Sequence, residues 1–145
     1  MMSARRTTLL RGLAVTVCAA LSGSGTIAQQ VKISDPTSVL LIVNRDSNEL
    51  AFMDLESRQL VGTVFLGNNV NPHMGMFTPD GRYAVTGGTR ANKAYVIDVA
   101  TLELVKEIPV GFAPEHMGIS PDSRYYYQGN PDDDSVSVID MVSLT

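Results

Sequence analysis

The feature that most constrains this chain is an internal repeat. Thr78-Pro79-Asp80-Gly81-Arg82-Tyr83 recurs as Ser120-Pro121-Asp122-Ser123-Arg124-Tyr125 at an offset of 42 residues, and Val96-Ile97-Asp98 recurs as Val138-Ile139-Asp140 at the same offset. His73-Met74-Gly75 returns as His116-Met117-Gly118 at 43, and Asn48 and Asp54 find counterparts in Asn92 and Asp98 at 44. Independent motifs that share one period mark a structural unit that stacks on copies of itself to bury its faces.

Within one unit the apolar residues fall in four short stretches: His73 to Phe77, Tyr83 to Thr86, Ala94 to Val99 and Leu104 to Val110. Pro-Asp-Gly, Gly-Gly and Thr-Leu-Glu separate them, and none is long enough to favour a helix. Ser135 to Asp140 opens with the period-two alternation of a strand with one buried face. Val39 to Val43 is apolar throughout, as in a strand covered on both sides. In Pro79-Asp80-Gly81, proline presets φ, aspartate bonds back to the main chain and glycine accepts a positive φ, so the first two strands of a unit form a hairpin. Four strands in about 42 residues predict an all-β chain of four-stranded antiparallel β-propeller blades. The expected units are approximately 39–81, 82–123 and 124–145.

These residues resemble the bacterial YVTN-type β-propeller repeat, whose units run roughly P-H-G-x-x-x-S-P-D-G-R-x-x-Y-V…V-S-V-I-D. The best matches are Ser120-Pro121-Asp122, Ser135-Val136-Ser137-Val138-Ile139-Asp140, and Ile108-Pro109-Val110-Gly111 followed by Pro114 and His116. The resemblance covers residues 29–145 and implies that the strand after each His-Met-Gly is the innermost of its blade. It also implies that the stretches ending in Asp54, Asp98 and Asp140 are third strands. About two and a half blades are then present where closed propellers need at least four. The expectation is an incomplete, open propeller whose partners are the missing blades or further copies meeting its uncovered faces.

The first 28 residues differ in composition. Arg5, Arg6 and Arg11 precede an apolar core from Leu13 to Leu21, and Thr26-Ile27-Ala28 offers a small-residue cleavage site, so 1–28 reads as a signal peptide for periplasmic or secreted localisation. Arg5-Arg6 before Leu9-Leu10 loosely fits a twin-arginine signal, but the aromatic usual after the pair is missing, which favours the general secretory route. Ser22-Gly23-Ser24-Gly25 interrupts the apolar run well short of a bilayer span, so no membrane anchor is expected after cleavage. Cys18 lies within the segment, leaving the rest without cysteine and hence without a disulfide or thiolate metal site. Removing the segment leaves eight basic residues against fifteen acidic, a formal charge of −7, which disfavours nucleic acid as a partner.

His73 and His116 are the first candidate ligand-binding residues, because both stand just before an innermost strand. Related propellers place haem, copper or quinone near this rim, and imidazole ligates both metals. The competing expectation is structural, with each ring bonded to a neighbouring strand or turn and locking its blade. Met74 and Met117 read as core filler before copper ligands. His73 stands one residue further from its Pro-Asp turn than His116 does, so the first copy needs a bulge or a flip of its side chains. Arg45 and Arg90, in the loops between second and third strands, are candidate contacts for an anionic ligand on the same rim. Asp54, Asp98, Asp140, Asp80 and Asp122 read as turn-holding carboxylates. Asn130-Pro131-Asp132-Asp133-Asp134 is acidic, but its spacing fits no calcium loop, and a solvated loop is expected.

No catalytic motif is apparent in the chain, and no cofactor is evident. The first functional expectation is a non-catalytic scaffold that holds a protein or small ligand at the propeller rim. The alternative is the propeller of a haem-, copper- or quinone-dependent oxidoreductase resembling haem nitrite reductases. A lactonase-like propeller ranks third.

Overall fold

β-branched and aromatic residues at alternating positions, broken by Pro, Gly and Asn-rich turns, leave each short segment extended and hydrogen-bonded to the next. The computed structural model describes Ile33 and residues 35–145; the signal peptide expected over 1–28 lies outside them. Ten strands form among the described residues: β1 Val39–Asn44, β2 Glu49–Asp54, β3 Leu60–Phe65, β4 Pro72–Phe77, β5 Tyr83–Gly88, β6 Lys93–Asp98, β7 Glu103–Pro109, β8 His116–Ile119, β9 Tyr125–Asn130 and β10 Ser135–Asp140. The only helical pieces among the described residues are 3-10 turns at Pro36–Ser38 and Pro131–Asp133. No described helix is long and apolar enough to cross a membrane.

The strands pair antiparallel into three sheets, ordered β1-β2-β3, β4-β5-β6-β7 and β8-β9-β10. These sheets are out of phase with the sequence units, since β4 belongs to the second sheet although it lies in the stretch 39–81. The hairpin at Pro79-Asp80-Gly81 closes as its chemistry requires. The Thr78 amide donates to the Tyr83 carbonyl at 2.8 Å, and Gly81 takes φ +72. In the second copy Ser123 fills the same position at φ +61, strained for a residue with a Cβ. Its hydroxyl offsets this by accepting the Asp80 amide at 2.9 Å, tying the second and third sheets together on that rim.

Side chains alternate across each pleat, so the second sheet has one face toward the first sheet and the other toward the third. Leu50 and Phe52 of the first sheet meet Ala84, Tyr95 and Ile97 of the second in one core. Tyr83, Val85, Ala94 and Val96 on the second sheet's other face meet Tyr126 and Ile139 of the third in another. Close sheet contact depends on Gly75, where a Cβ would lie 3.0 Å from Leu41 and Val43 side-chain atoms.

Both cores contain a buried tyrosine, and this sets an alkaline limit. Burial first, then the Glu107 carboxylate, pushes the Tyr95 phenol up to about 12, and burial raises that of Tyr126 as well. An unfolded tyrosine ionises near pH 10, so above that pH the unfolded chain releases protons that the folded chain keeps, and stability falls as pH rises. The urea midpoint is expected to be flat from pH 8 to about 9.5 and to drop between about 10 and 12. Tyr95→Phe should flatten that drop; an unchanged slope would exclude Tyr95 as its source.

Candidate functional site

The β1–β2, β5–β6 and β9–β10 turns gather on one rim with the starts of β4 and β8. Asn48 and Asn92 build this rim. Each adopts a left-handed conformation, φ +59 and +53, which asparagine tolerates better than most residues. Asn48 Oδ1 accepts the Val70 and Asn71 amides at 2.9 and 2.8 Å, and Asn92 Oδ1 accepts the Ala113 amide at 3.1 Å. Each asparagine thus holds the segment that carries the chain from one sheet into the first strand of the next.

Val70 and Asn71 are held from the other side as well. The Arg90 amide donates to the Val70 carbonyl at 3.1 Å, and the Thr89 amide donates to the Asn71 carbonyl at 3.2 Å. Arg45 Nε donates to Asn71 Oδ1 at 3.0 Å. The segment leading to His73 therefore lies between two arginine-bearing turns. Arg45 is spent partly on holding it, whereas the Arg90 side chain is exposed and pairs with no described residue.

His73 and His116 stand at equivalent starts of β4 and β8, and both are exposed. Neither ring bonds to a described residue, so the expected blade-locking bond is absent. The locking at His116 is done instead by its main chain, whose carbonyl accepts Gln128 Nε2 at 2.9 Å. The two surroundings differ in one respect. In the third sheet His116 pairs in register with Gly129, whereas the second sheet shifts register between Pro72 and Gly75. The extra residue is absorbed as a bulge at His73-Met74, and the Thr86 hydroxyl donates to the Met74 carbonyl there at 2.6 Å. Met117 packs against the second core, but Met74 is a surface residue, 38% exposed, because the bulge turns it out of the ladder.

His116 also borders a cleft of about 330 Å³ with Asn130, Asp134, Ser135 and Val136. The acidic loop beside it is structural in part. Asp133 accepts the Phe112 amide at 3.0 Å and the Ser135 hydroxyl at 2.6 Å, and these bonds, the hydroxyl's first, hold its carboxyl below the usual range. No three acidic, histidine or cysteine side chains come together as a metal set among the described residues.

Asp54, Asp98, Asp140, Asp80 and Asp122 lie at the opposite rim and hold turns. Asp54 accepts the Ser57 amide and hydroxyl at 2.7 and 2.6 Å, Asp98 the Ala100 and Thr101 amides at 2.9 and 3.0 Å, and Asp140 the Val142 amide at 2.8 Å. Asp80 and Asp122 accept the Thr78 and Ser120 hydroxyls, each at 2.6 Å. The Ser57 hydroxyl, the Ser120 hydroxyl and the Val142 amide are the main causes that lower Asp54, Asp122 and Asp140 respectively. Burial pushes Asp80 up, but its bonds from Thr78 and Arg82 outweigh it and the net direction is down.

No protein-family model matches the chain, and no curated protein matches it. Solved structures do. Hydrazine synthase of Kuenenia stuttgartiensis superposes with a TM-score of 0.68 at 25% identity, over 83% of this chain and 37% of that one. The dihydro-heme d1 dehydrogenase NirN, in complex with DHE, gives 0.67 at 19% identity, over 77% of this chain and 24% of that one. The three sheets are propeller blades. A Bacteroides fragilis protein named for 6-phosphogluconolactonase activity shares the blade architecture at a TM-score of 0.65 and 16% identity, over 71% of this chain and 32% of that one. The chain thus spans between about a quarter and two fifths of each of these propellers, and the likeness below 25% identity is one of fold.

Asn48, Asn71 and Asn92 are the rim-building residues that sequence reasoning missed. Asn48 and Asn92 were visible as repeat counterparts, but only their left-handed φ and their reach of more than 20 residues along the chain identify them as rim clamps.

Proposed function

We propose that this chain is an exported, non-catalytic propeller scaffold that binds a small ligand or protein segment on its histidine-bearing rim. The observation that carries the reading is the pair His73 and His116: equivalent, exposed imidazoles with no bond to any described residue. A side chain kept for blade structure is expected to have a partner in the blade, as the turn aspartates do. Arg90 adds an exposed cation on the turn that holds the segment leading to His73, suited to an anionic group on the ligand. Export rests on the sequence of residues 1–28 and is tested by mass spectrometry of the periplasmic product, with cleavage expected after Ala28.

A second reading is favoured by the same imidazoles: the propeller of a haem- or copper-handling oxidoreductase. Both rings could serve as ligands to such a metal, since their nitrogens bond to no described residue. Titration of the purified chain with haemin and with copper(II) separates the two. Under the second reading, saturable binding with a shifted Soret band or a copper absorption is expected, weakened at least about 10-fold in His73→Ala/His116→Ala. Under the first, neither probe saturates, and the histidine rim is sought as the surface that takes up an organic anion. Probe binding that is equal in the wild type and the double variant would remove the rim from both readings.

A further inference from the structure

We propose that His73, Met74 and Met76, on the bulged start of β4, form a binding site for copper(I). Met74 and Met76 are 38 and 37% exposed, although methionine ordinarily fills gaps in a core. They flank Gly75, where an added Cβ would meet Leu41 and Val43 of the first sheet. The pleat therefore turns both thioethers to the other side of β4, about 7 Å apart along the strand. The bulge seats His73 and Met74 together opposite Gly87, so the imidazole leaves the strand at the level of the first thioether. The Thr86 hydroxyl fixes this backbone through its bond to the Met74 carbonyl. β4 belongs to the sheet that has a neighbour on each face, so these exposures are not those of an end sheet.

One imidazole and two thioethers make a soft donor set, and thioethers select copper(I) over divalent ions that prefer oxygen ligands. The His73 ring bonds to no described residue, which leaves its nitrogens open to a metal. No set of three carboxylate, imidazole or thiol groups stands among the described residues to favour a harder ion. All three donors lie on one short strand, and the three rotatable bonds of each methionine side chain let the sulfurs adjust to the ion. The second repeat provides an internal comparison. There the register runs without a bulge, Met117 packs against the second core, and Gly118-Ile119 offers no second thioether. The imidazole is common to both repeats, whereas exposed sulfur is confined to the first. The site goes beyond the rim readings above, because it joins His73 to sulfur and leaves His116 out.

The test is anaerobic titration of the full chain with copper(I) in competition with the chelator bicinchoninate. A Cys18→Ser background removes a thiol that would itself bind the ion. A single saturable site is expected, with sulfur neighbours in the X-ray absorption spectrum of the bound copper. Met74→Leu/Met76→Leu conserves the volume and apolar character of two surface side chains, so its urea midpoint should match that of the parent. Its copper(I) affinity is expected to fall at least about 100-fold, since losing a group that merely supports a ligand already costs about 10-fold or more. The sulfur signal should vanish with it. His73→Ala should weaken binding, and His116→Ala should leave it unchanged. Binding that does not saturate, a bound ion without sulfur neighbours, or equal affinity in the methionine variant would overturn the proposal. Equal losses in His73→Ala and His116→Ala would overturn it too, by giving the ion to the paired imidazoles. Copper(I) held by the thioethers in a chain that takes up neither haemin nor copper(II) would keep this site and remove the oxidoreductase reading.

Discussion

Replacing Tyr126 by alanine is expected to lower the unfolding free energy by about 4 kcal/mol, within the range seen when a buried aromatic is truncated. Tyr126 is fully buried between the second and third blades. Its phenol donates to Gln128 Oε1, while Gln128 Nε2 donates to the carbonyls of His116 and Gly129 at 2.9 and 3.1 Å. One side chain thus fills the junction and anchors the amide that fastens β8 to β9. Tyr126→Phe retains the ring and removes only the hydroxyl, leaving a buried carbonyl oxygen without a donor, and should cost about 2 kcal/mol. Urea unfolding measures both, with midpoints expected in the order wild type, Tyr126→Phe, Tyr126→Ala.

In stacked repeats stability comes from the units and from the interfaces between them, so damage at one junction uncouples its neighbours. Tyr126→Ala should therefore raise amide exchange over β8 to β10 more than over β1 to β3. Uniform loss of protection along the chain would mean that the three blades unfold as one body and that the junction has no separate identity.

The strands were legible because each carries its own period and the punctuation between them repeats. The four apolar stretches of one unit coincide with β4 to β7 to within one or two residues. The bulge was legible by counting, since the first copy has one more residue between histidine and proline than the second. Other features depend on contacts between residues far apart in the chain. Arg45 reads as a free rim cation, but its bond to Asn71 spans 26 residues, and nothing local in either residue announces it. Tyr126 and Gln128 sit among alternating residues where a glutamine looks solvent-facing, yet Gln128 is fully buried because the tyrosine and two carbonyls satisfy its amide. Met74 reads as core by composition and is on the surface, since the bulge that moved it alters geometry without altering hydrophobicity.

Asn48→Ala is expected to cost about 3 kcal/mol, a large effect for a residue in a turn. Two terms of similar size contribute. The Val70 and Asn71 amides lose the single oxygen that accepts both of them, and part-buried donors left unpaired cost about 1–3 kcal/mol. Alanine must also hold φ +59 without the local bonding that lets asparagine stay there, a strain of about 1 kcal/mol or more. Asn48→Gly separates these terms, because glycine accepts the backbone conformation but offers no acceptor. It should recover about 1 kcal/mol of the loss and no more. The clamp sets the segment that leads into His73, so both variants should also loosen Arg45 and raise amide exchange at Asn71 and His73. If Asn48→Gly were as stable as the wild type, backbone strain alone would account for the alanine effect, and the segment from Val70 to His73 would be held by Thr89, Arg90 and Arg45 without help from Asn48.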